Sequence, residues 1–420
     1  MGTLVSLVGA NVNKPTSTVA RYLAGPASQT AKAVLKLSSN ENPLGPSTMA
    51  VQNLRKTHVA LERYPSALLE ATRAAIAKAY KVEPSNLLLG NGSDELLNAI
   101  SSLLLKEGDE AIICEHGFLM YRTQILGCGA MPVIVKAKHF GTCLDDIAKA
   151  VNNRTKLIYL ASPANPSGLC LSERAFWALR RAIPAHVTIV LDLAYADYVT
   201  DDRFALSEAK LGDNVVTVRT FSKLYGLAAL RIGWMHAKGA LVPTTSTMLS
   251  PFNVNKVAKF ILGDAANDWQ HRSLCVSYNL FWTTKVIAQA RAYRLNVLDT
   301  WANFVTFRLT KRIPICLVRE TLSKVGLSVR STAEYKIFNG MRASLGTAAS
   351  NKLLLKTLPS VKTTGAIVRT EYAGLFRPSA STWTKSDVAT RRSPETCEAS
   401  ASLRPKLELG RPKSSLRKVN

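Results

Sequence analysis

Seven short apolar runs, rich in Val, Ile and Leu, alternate with helical patterns between residues 86 and 236. The runs lie at 86–90, 110–115, 132–137, 155–161, 187–192, 214–219 and 231–236. The segments 66–80, 94–106, 118–127, 144–151 and 172–181 space their apolar residues at helical intervals instead. Strands that are apolar on both faces, each followed by a helix, predict an α/β fold: a mostly parallel sheet flanked by helices. In such sheets ligands collect beyond the carboxyl ends of the strands. Residues that end those runs are therefore the first candidates for chemistry.

A chain of 420 residues has length enough for two domains. After about residue 270 the rhythm changes. Helical patterns at 276–292 and 314–325 are interleaved with strands at 303–308, 327–330 and 341–345, which predicts a smaller α+β domain over 271–358. Residues 359–420 are rich in Ser, Thr, Pro, Lys and Arg, with 12 basic against 5 acidic residues. That composition predicts a basic, disordered tail.

Four segments at predicted strand ends carry chemistry. Thr220-Phe221-Ser222-Lys223 closes one strand, with Arg231 eight residues beyond the lysine. A lysine so placed can form a Schiff base with an aldehyde cofactor, and Ser222 and Arg231 can hold a phosphate. The combination suggests pyridoxal 5'-phosphate (PLP), which acts as an electron sink while the protein orients it. Gly90-Asn91-Gly92-Ser93-Asp94 joins a strand to a helix, and a helix N-terminus with glycines before it suits a phosphate. Asn165, before Pro166, can donate a hydrogen bond to a phenolate oxygen. Asp192 ends a strand, with Tyr195 three residues on, and its carboxylate can keep a pyridine nitrogen protonated. Each segment alone has an ordinary reading: a solvated lysine, a capped loop, a turn-forming asparagine, a turn-capping aspartate. Four in this order are a much rarer coincidence than one.

In that order and spacing the chain resembles the fold-type I PLP-dependent aminotransferases, and within them the histidinol-phosphate aminotransferases. Leu37-Ser38-Ser39-Asn40-Glu41-Asn42-Pro43-Leu44-Gly45 is similar to an amino-terminal signature of that family, and Arg63-Tyr64-Pro65 to its segment that reaches a partner subunit's site. Phe252-Asn253-Val254-Asn255, Ala302-Asn303-Phe304-Val305 and Met341-Arg342-Ala343-Ser344 extend the match. The resemblance runs from about Arg21 to Leu358 and is strongest over 37–235. It implies an amino-terminal arm over 1–45, a large PLP-binding domain over 46–270 and a homodimer. It implies catalytic roles for Lys223, Asp192, Tyr195 and Asn165. Gly92, Ser93, Asp94, Phe118, Ser222, Arg231 and the partner's Tyr64 complete the cofactor site it implies. Tyr22, Asn42, Tyr64, Arg330 and Arg342 fall to the substrates. The reaction implied is transamination between glutamate and imidazole-acetol phosphate, giving histidinol phosphate and 2-oxoglutarate in histidine biosynthesis.

The remaining features bound that reading. Seven cysteines are scattered without a Cys-x-x-Cys pair and six histidines lack ligand spacing, so neither a metal site nor a disulfide framework is expected. Free thiols and the lack of any apolar run near the ~18–20 residues of a membrane span fit a cytoplasmic enzyme. Acidic residues are absent before Glu41, a composition shared by transit peptides, but Arg21-Tyr22-Leu23 is similar to the family's arm. The net charge of +25 would suit nucleic acid, yet the basic residues are spread along the chain with no nucleic-acid motif, so none is expected as a partner.

Several positions depart from the family pattern. Leu193 stands for a usual glutamate, Ser162, Ala164 and Ser167 alter the Asn-Pro loop, Leu249 replaces an arginine and Ala229 a glycine. None of them removes a residue to which the resemblance gives a role at the reacting atoms. The alternatives left open are an aromatic aminotransferase, a threonine-phosphate decarboxylase of the same fold, or a relaxed homologue that binds through its basic tail.

Overall fold

The computed structural model describes residues 35–65, 69–309 and 314–362. The chain enters through β1 (Leu35–Leu37), then α1 (Thr48–Lys56) and α2 (Glu70–Tyr80). The predicted alternation follows as β2 (Leu87–Gly90), α3 (Ser93–Leu104), β3 (Glu110–Cys114), α4 (Leu119–Gly127), β4 (Met131–Val135), α5 (Leu144–Ala150), β5 (Thr155–Ala161) and α6 (Glu173–Ala182). It closes with β6 (Thr188–Asp192), β7 (Val215–Thr220) and β8 (Gly233–His236).

These seven strands form one sheet in the order β2-β8-β7-β6-β5-β3-β4. β8 runs antiparallel to both of its neighbours, and the other pairings are parallel. Successive side chains of a strand point to opposite faces, and both faces here are apolar. Leu97, Tyr159, Val190 and Val218 pack on one side, and Ile158, Phe176, Ile189 and Leu191 on the other. Burying each such side chain contributes about 1.5–3 kcal/mol, and this is why β6 and β7 are buried along their whole lengths.

Beyond β8 come α7 (Leu241–Ser246), α8 (Lys256–Asn267) and the long α9 (Trp269–Ala292). A second sheet is built from β9 (Asn296–Val297), β10 (Phe304–Arg308), β11 (Leu327–Ser331) and β12 (Gly340–Ser344), with α10 (Ile315–Lys324) and α11 (Ala348–Lys362) alongside. Its order is β1-β11-β12-β10-β9, so the amino-terminal strand is its edge, parallel to β11. Residues 38–45 then run from this sheet toward the larger one. Gly226 marks that crossing: at φ +67°, a Cβ there would lie 2.3 Å from the Gly45 carbonyl carbon.

The structure differs from the sequence expectation in places. α9 begins at Trp269 rather than 276, because Asp268 accepts a hydrogen bond from the His271 N–H and caps it. The expected tail begins too early at 359, since α11 contains Pro359 and continues to Lys362. Residues 363–420, the rest of that tail, lie outside the described residues. Among the described residues no helix is long and apolar enough to cross a membrane.

Candidate active site

The strand ends build three neighbouring corners of one candidate site. At the first, β2 gives way to Gly92, whose φ of +87° suits glycine. A Cβ on Gly92 would meet Arg231 Nη2 at 2.8 Å, so the loop can approach that arginine only without a side chain. Ser93 opens α3, and its first turn carries Asp94 and Glu95. Arg231, itself left-handed at φ 52°, reaches Ser222 Oγ at 3.3 Å through Nη1 and faces Asp94 Oδ2 at 3.7 Å. Partial burial raises the Asp94 pKa, against the lowering charges of Arg231 and Lys223. Glu95 ties the loop down by accepting from the Asn91 N–H at 2.6 Å and from Asn253 Nδ2 at 2.7 Å.

At the second corner Asp192 ends β6 with 8% of its surface exposed. The Tyr121 hydroxyl donates to its Oδ2 at 2.6 Å and the Ala194 N–H to its Oδ1 at 3.0 Å. Burial still raises the carboxyl pKa, because these two donors only partly replace lost water. Phe118 precedes α4 and lies edge-on to Tyr121, with centroids 5.7 Å apart, while Tyr121 stacks on Tyr159 at 4.7 Å.

The third corner joins the loop after β7 to the second sheet. Lys223 Nζ donates to the Ser39 carbonyl at 3.3 Å and stands 5.6 Å from the Tyr195 ring centre. Tyr195 Oη accepts from Asn40 Nδ2 at 2.9 Å. Arg342, on β12, donates through Nη1 to Asn165 Oδ1 and through Nη2 to the Ser38 carbonyl at 2.7 Å. Its guanidinium lies 5.4 Å from the Phe304 ring centre, and its buried Nε has no hydrogen-bond partner among the described residues. Arg330 sits directly opposite Arg342 across the β11–β12 pairing and forms an ion pair with Glu334.

Contacts and charge effects thus bring Lys223, Asp192, Tyr195, Asn165, Arg342, Ser222, Arg231, Gly92, Asp94 and Phe118 near one another from separate elements, with Ser93 beside Asp94 at the start of α3. Asn42 is used within the scaffold: Nδ2 donates to the Leu224 carbonyl and Oδ1 accepts from the Leu44 N–H at 3.0 Å. Tyr64 is 80% exposed and stacks on Phe252 with centroids 4.9 Å apart. Tyr22 lies outside the described residues. Sequence reasoning missed Tyr121 and Asn40. Tyr121 carries a faint signal, one helical turn after Phe118 on the same face.

The chain matches the model of the family "Aminotransferase class I and II" over residues 32–325. It is 36% identical over 346 residues to the histidinol-phosphate aminotransferases of two strains of Rhodopseudomonas palustris, covering 81% of this chain and 95% of each relative. The chain belongs to the class I and II aminotransferase family, among the histidinol-phosphate aminotransferases. Solved structures share the fold. The Sinorhizobium meliloti histidinol-phosphate aminotransferase, in complex with pyridoxal-5'-phosphate, superposes with a TM-score of 0.73 at 23% identity, covering 79% of this chain and 92% of that one. The Clostridium acetobutylicum histidinol-phosphate aminotransferase gives 0.73 at 20% identity, with 79% and 99% covered. The candidate residues lie at strand ends of the large sheet and on one strand of the small one.

Proposed function

We propose that this enzyme transfers an amino group between glutamate and imidazole-acetol phosphate, forming 2-oxoglutarate and histidinol phosphate, with pyridoxal 5'-phosphate as cofactor. One observation carries the reading: Lys223, Asp192, Tyr195, Asn165 and Arg342 converge from three strand ends and a second sheet. The 36% identity to relatives named for this activity supports it.

The residues present fit the cofactor. Asp192 is a buried carboxylate whose pKa stays raised despite the Lys223 charge, and a protonated pyridine nitrogen would supply the cation such a group favours. The α3 N-terminus, Ser222 and Arg231 offer donors to a phosphate around a glycine that leaves room for it. Arg342 occupies Asn165 Oδ1, which leaves the Asn165 amide nitrogen to donate to a phenolic oxygen.

When bound, the cofactor supplies an electron sink for the carbanion formed at the substrate α-carbon. Asp192 holds the pyridine nitrogen protonated. Tyr195 and Asn165 would donate to the cofactor's phenolic oxygen, and Phe118 would stack on its ring. Gly92, Ser93, Asp94, Ser222 and Arg231 hold the phosphate. Lys223 Nζ takes the α-proton and returns it at the neighbouring carbon. Arg342 clamps the glutamate α-carboxylate, since a planar guanidinium matches a carboxylate with two bonds. Tyr22 and Arg330 receive the phosphate of the second substrate. The two half-reactions follow in turn, glutamate leaving as 2-oxoglutarate before imidazole-acetol phosphate enters.

The protein works as a homodimer in the cytoplasm. Tyr64, exposed in the single chain, enters the site of a second copy.

Initial rates with 2-oxoglutarate as acceptor test the substrate assignment. Histidinol phosphate is expected to exceed phenylalanine in kcat/KM. Faster phenylalanine turnover would make the enzyme an aromatic aminotransferase, and carbon dioxide release from phosphothreonine a decarboxylase.

A further inference from the structure

Residues 38–40 touch three members of the site in succession. Ser38 accepts from Arg342, Ser39 from Lys223, and Asn40 donates to Tyr195. Asn40 is 1% exposed and fixed on every side. Its backbone is left-handed at φ 57°, a conformation that asparagine tolerates better than most residues with a Cβ. Its N–H donates to Ser344 Oγ at 2.7 Å, Ser344 Oγ donates to its Oδ1 at 2.9 Å, and Asn303 Nδ2 donates to its carbonyl at 3.0 Å.

These bonds fix the direction of a proton. Ser344 Oγ accepts from the Asn40 backbone N–H and gives its own proton to the acceptor it faces on the Asn40 side chain. The receiving atom is therefore Oδ1, and the atom aimed at Tyr195 is the donor Nδ2. Tyr195 Oη accepts there, and its own proton is left for another partner.

We propose that Asn40 is a positioning residue for the transamination: by donating to Tyr195 Oη, it turns the tyrosine proton into the cleft, toward the cofactor's phenolic oxygen. The proposal rests on Tyr195 facing that oxygen. The mechanism above uses Asn165 and Tyr195 but gives Asn40 no part.

The surroundings of Tyr195 set the sign of the effect. Burial raises its pKa most, and Asp192 at the end of β6 and Asp94 in α3 add to the rise. Arg342 from β12 and the Asn40 bond act in the lowering direction, and Lys223 stands beyond the ring. Tyr195 is therefore a neutral donor at working pH, and the Asn40 bond makes it a stronger one. A stronger donor stabilises the phenolate and so favours loss of the proton from the lysine-bound cofactor. Asn40 thus lowers the pH at which that proton leaves.

The test is a pH titration of the visible absorbance of the PLP-loaded enzyme. Asn40→Gly removes the side chain and keeps the left-handed backbone, which glycine adopts without strain. Its titration midpoint is expected to rise by roughly 0.5–1 unit, about a three- to tenfold change in the proton's binding constant. Asn40→Asp puts an acceptor where the donor was, draws the tyrosine proton away, and is expected to shift the midpoint further in the same direction. Should the glycine variant fail to fold, Ser344→Ala frees the Asn40 amide and is expected to give a smaller rise. Midpoints equal to that of the unsubstituted enzyme, in variants that bind PLP and turn over, would overturn the role of Asn40 alone. Failure of the unsubstituted protein to bind PLP would overturn the underlying reading with it.

Discussion

The Tyr121 hydroxyl donates to Asp192 Oδ2 across 2.6 Å, joining α4 to the end of β6 over 71 residues of sequence. The bond stabilises the ionised carboxylate, yet burial outweighs it and the Asp192 pKa stands above the ordinary carboxylate value. Even with the Lys223 charge acting on it, burial makes Asp192 a group the fold would rather keep neutral.

That imbalance has a measurable sign. The folded, cofactor-free protein binds the Asp192 proton more tightly than the unfolded chain does. Asp192 therefore favours the fold below the unfolded pKa, and that advantage is lost as pH rises through the folded pKa. At pH 7 the cofactor-free Asp192→Asn variant is expected to be at least as stable in urea as the unsubstituted protein. Its kcat with PLP is expected to fall by about two orders of magnitude or more, the scale of losing a preorganised charge. A variant that is destabilised and still active would contradict this.

Arg219 is the opposite case, a buried charge with its partners in place. On β7, four residues before Lys223, it is paired with Glu208 and with Asp197 at 3.2 Å, and its guanidinium lies 4.9 Å from the Tyr80 ring centre. The two carboxylates hold it firmly protonated against the cost of burial. Arg219→Met leaves Glu208 buried without its cation and Asp197 with only Arg272 and the Tyr80 hydroxyl, and is expected to cost about 3–5 kcal/mol. Urea unfolding of the cofactor-free variant measures this, and a loss below ~1 kcal/mol would show that the pairs hold little.

Gly92→Ala tests the phosphate corner. The substitution strains a backbone at φ +87° and sets a methyl 2.8 Å from Arg231 Nη2. Arg231 must move off the phosphate position, so PLP affinity is expected to fall by roughly tenfold or more, the scale of one weakened charge-assisted bond. Fluorescence titration with PLP reads it. Unchanged affinity would place the phosphate elsewhere.

The large sheet was legible because its strands are apolar on both faces, so burial alone shows in the pattern. Asp192, Asn165 and Lys223 were legible for a related reason: each lies at or just past the end of such a run, and local sequence is enough to set it at the sheet's edge. What local sequence did not carry was pairing at a distance. β1 has three residues, too few for a period, and owes its existence to β11, with Leu35 opposite Leu327. Asn40 meets Tyr195 across 155 residues, and no spacing in the chain announces it. The antiparallel direction of β8 was equally silent, since apolar content does not encode direction. The tail's polar composition placed its start at 359, yet α11 runs on to Lys362.

The absorbance spectrum of the purified protein with PLP, before and after histidinol phosphate, tests the central claim most directly. The account predicts a visible band that is lost on adding histidinol phosphate as the amino group passes to the cofactor, and that never forms in Lys223→Ala. A protein that forms no band, or a band that histidinol phosphate leaves unchanged, would contradict it.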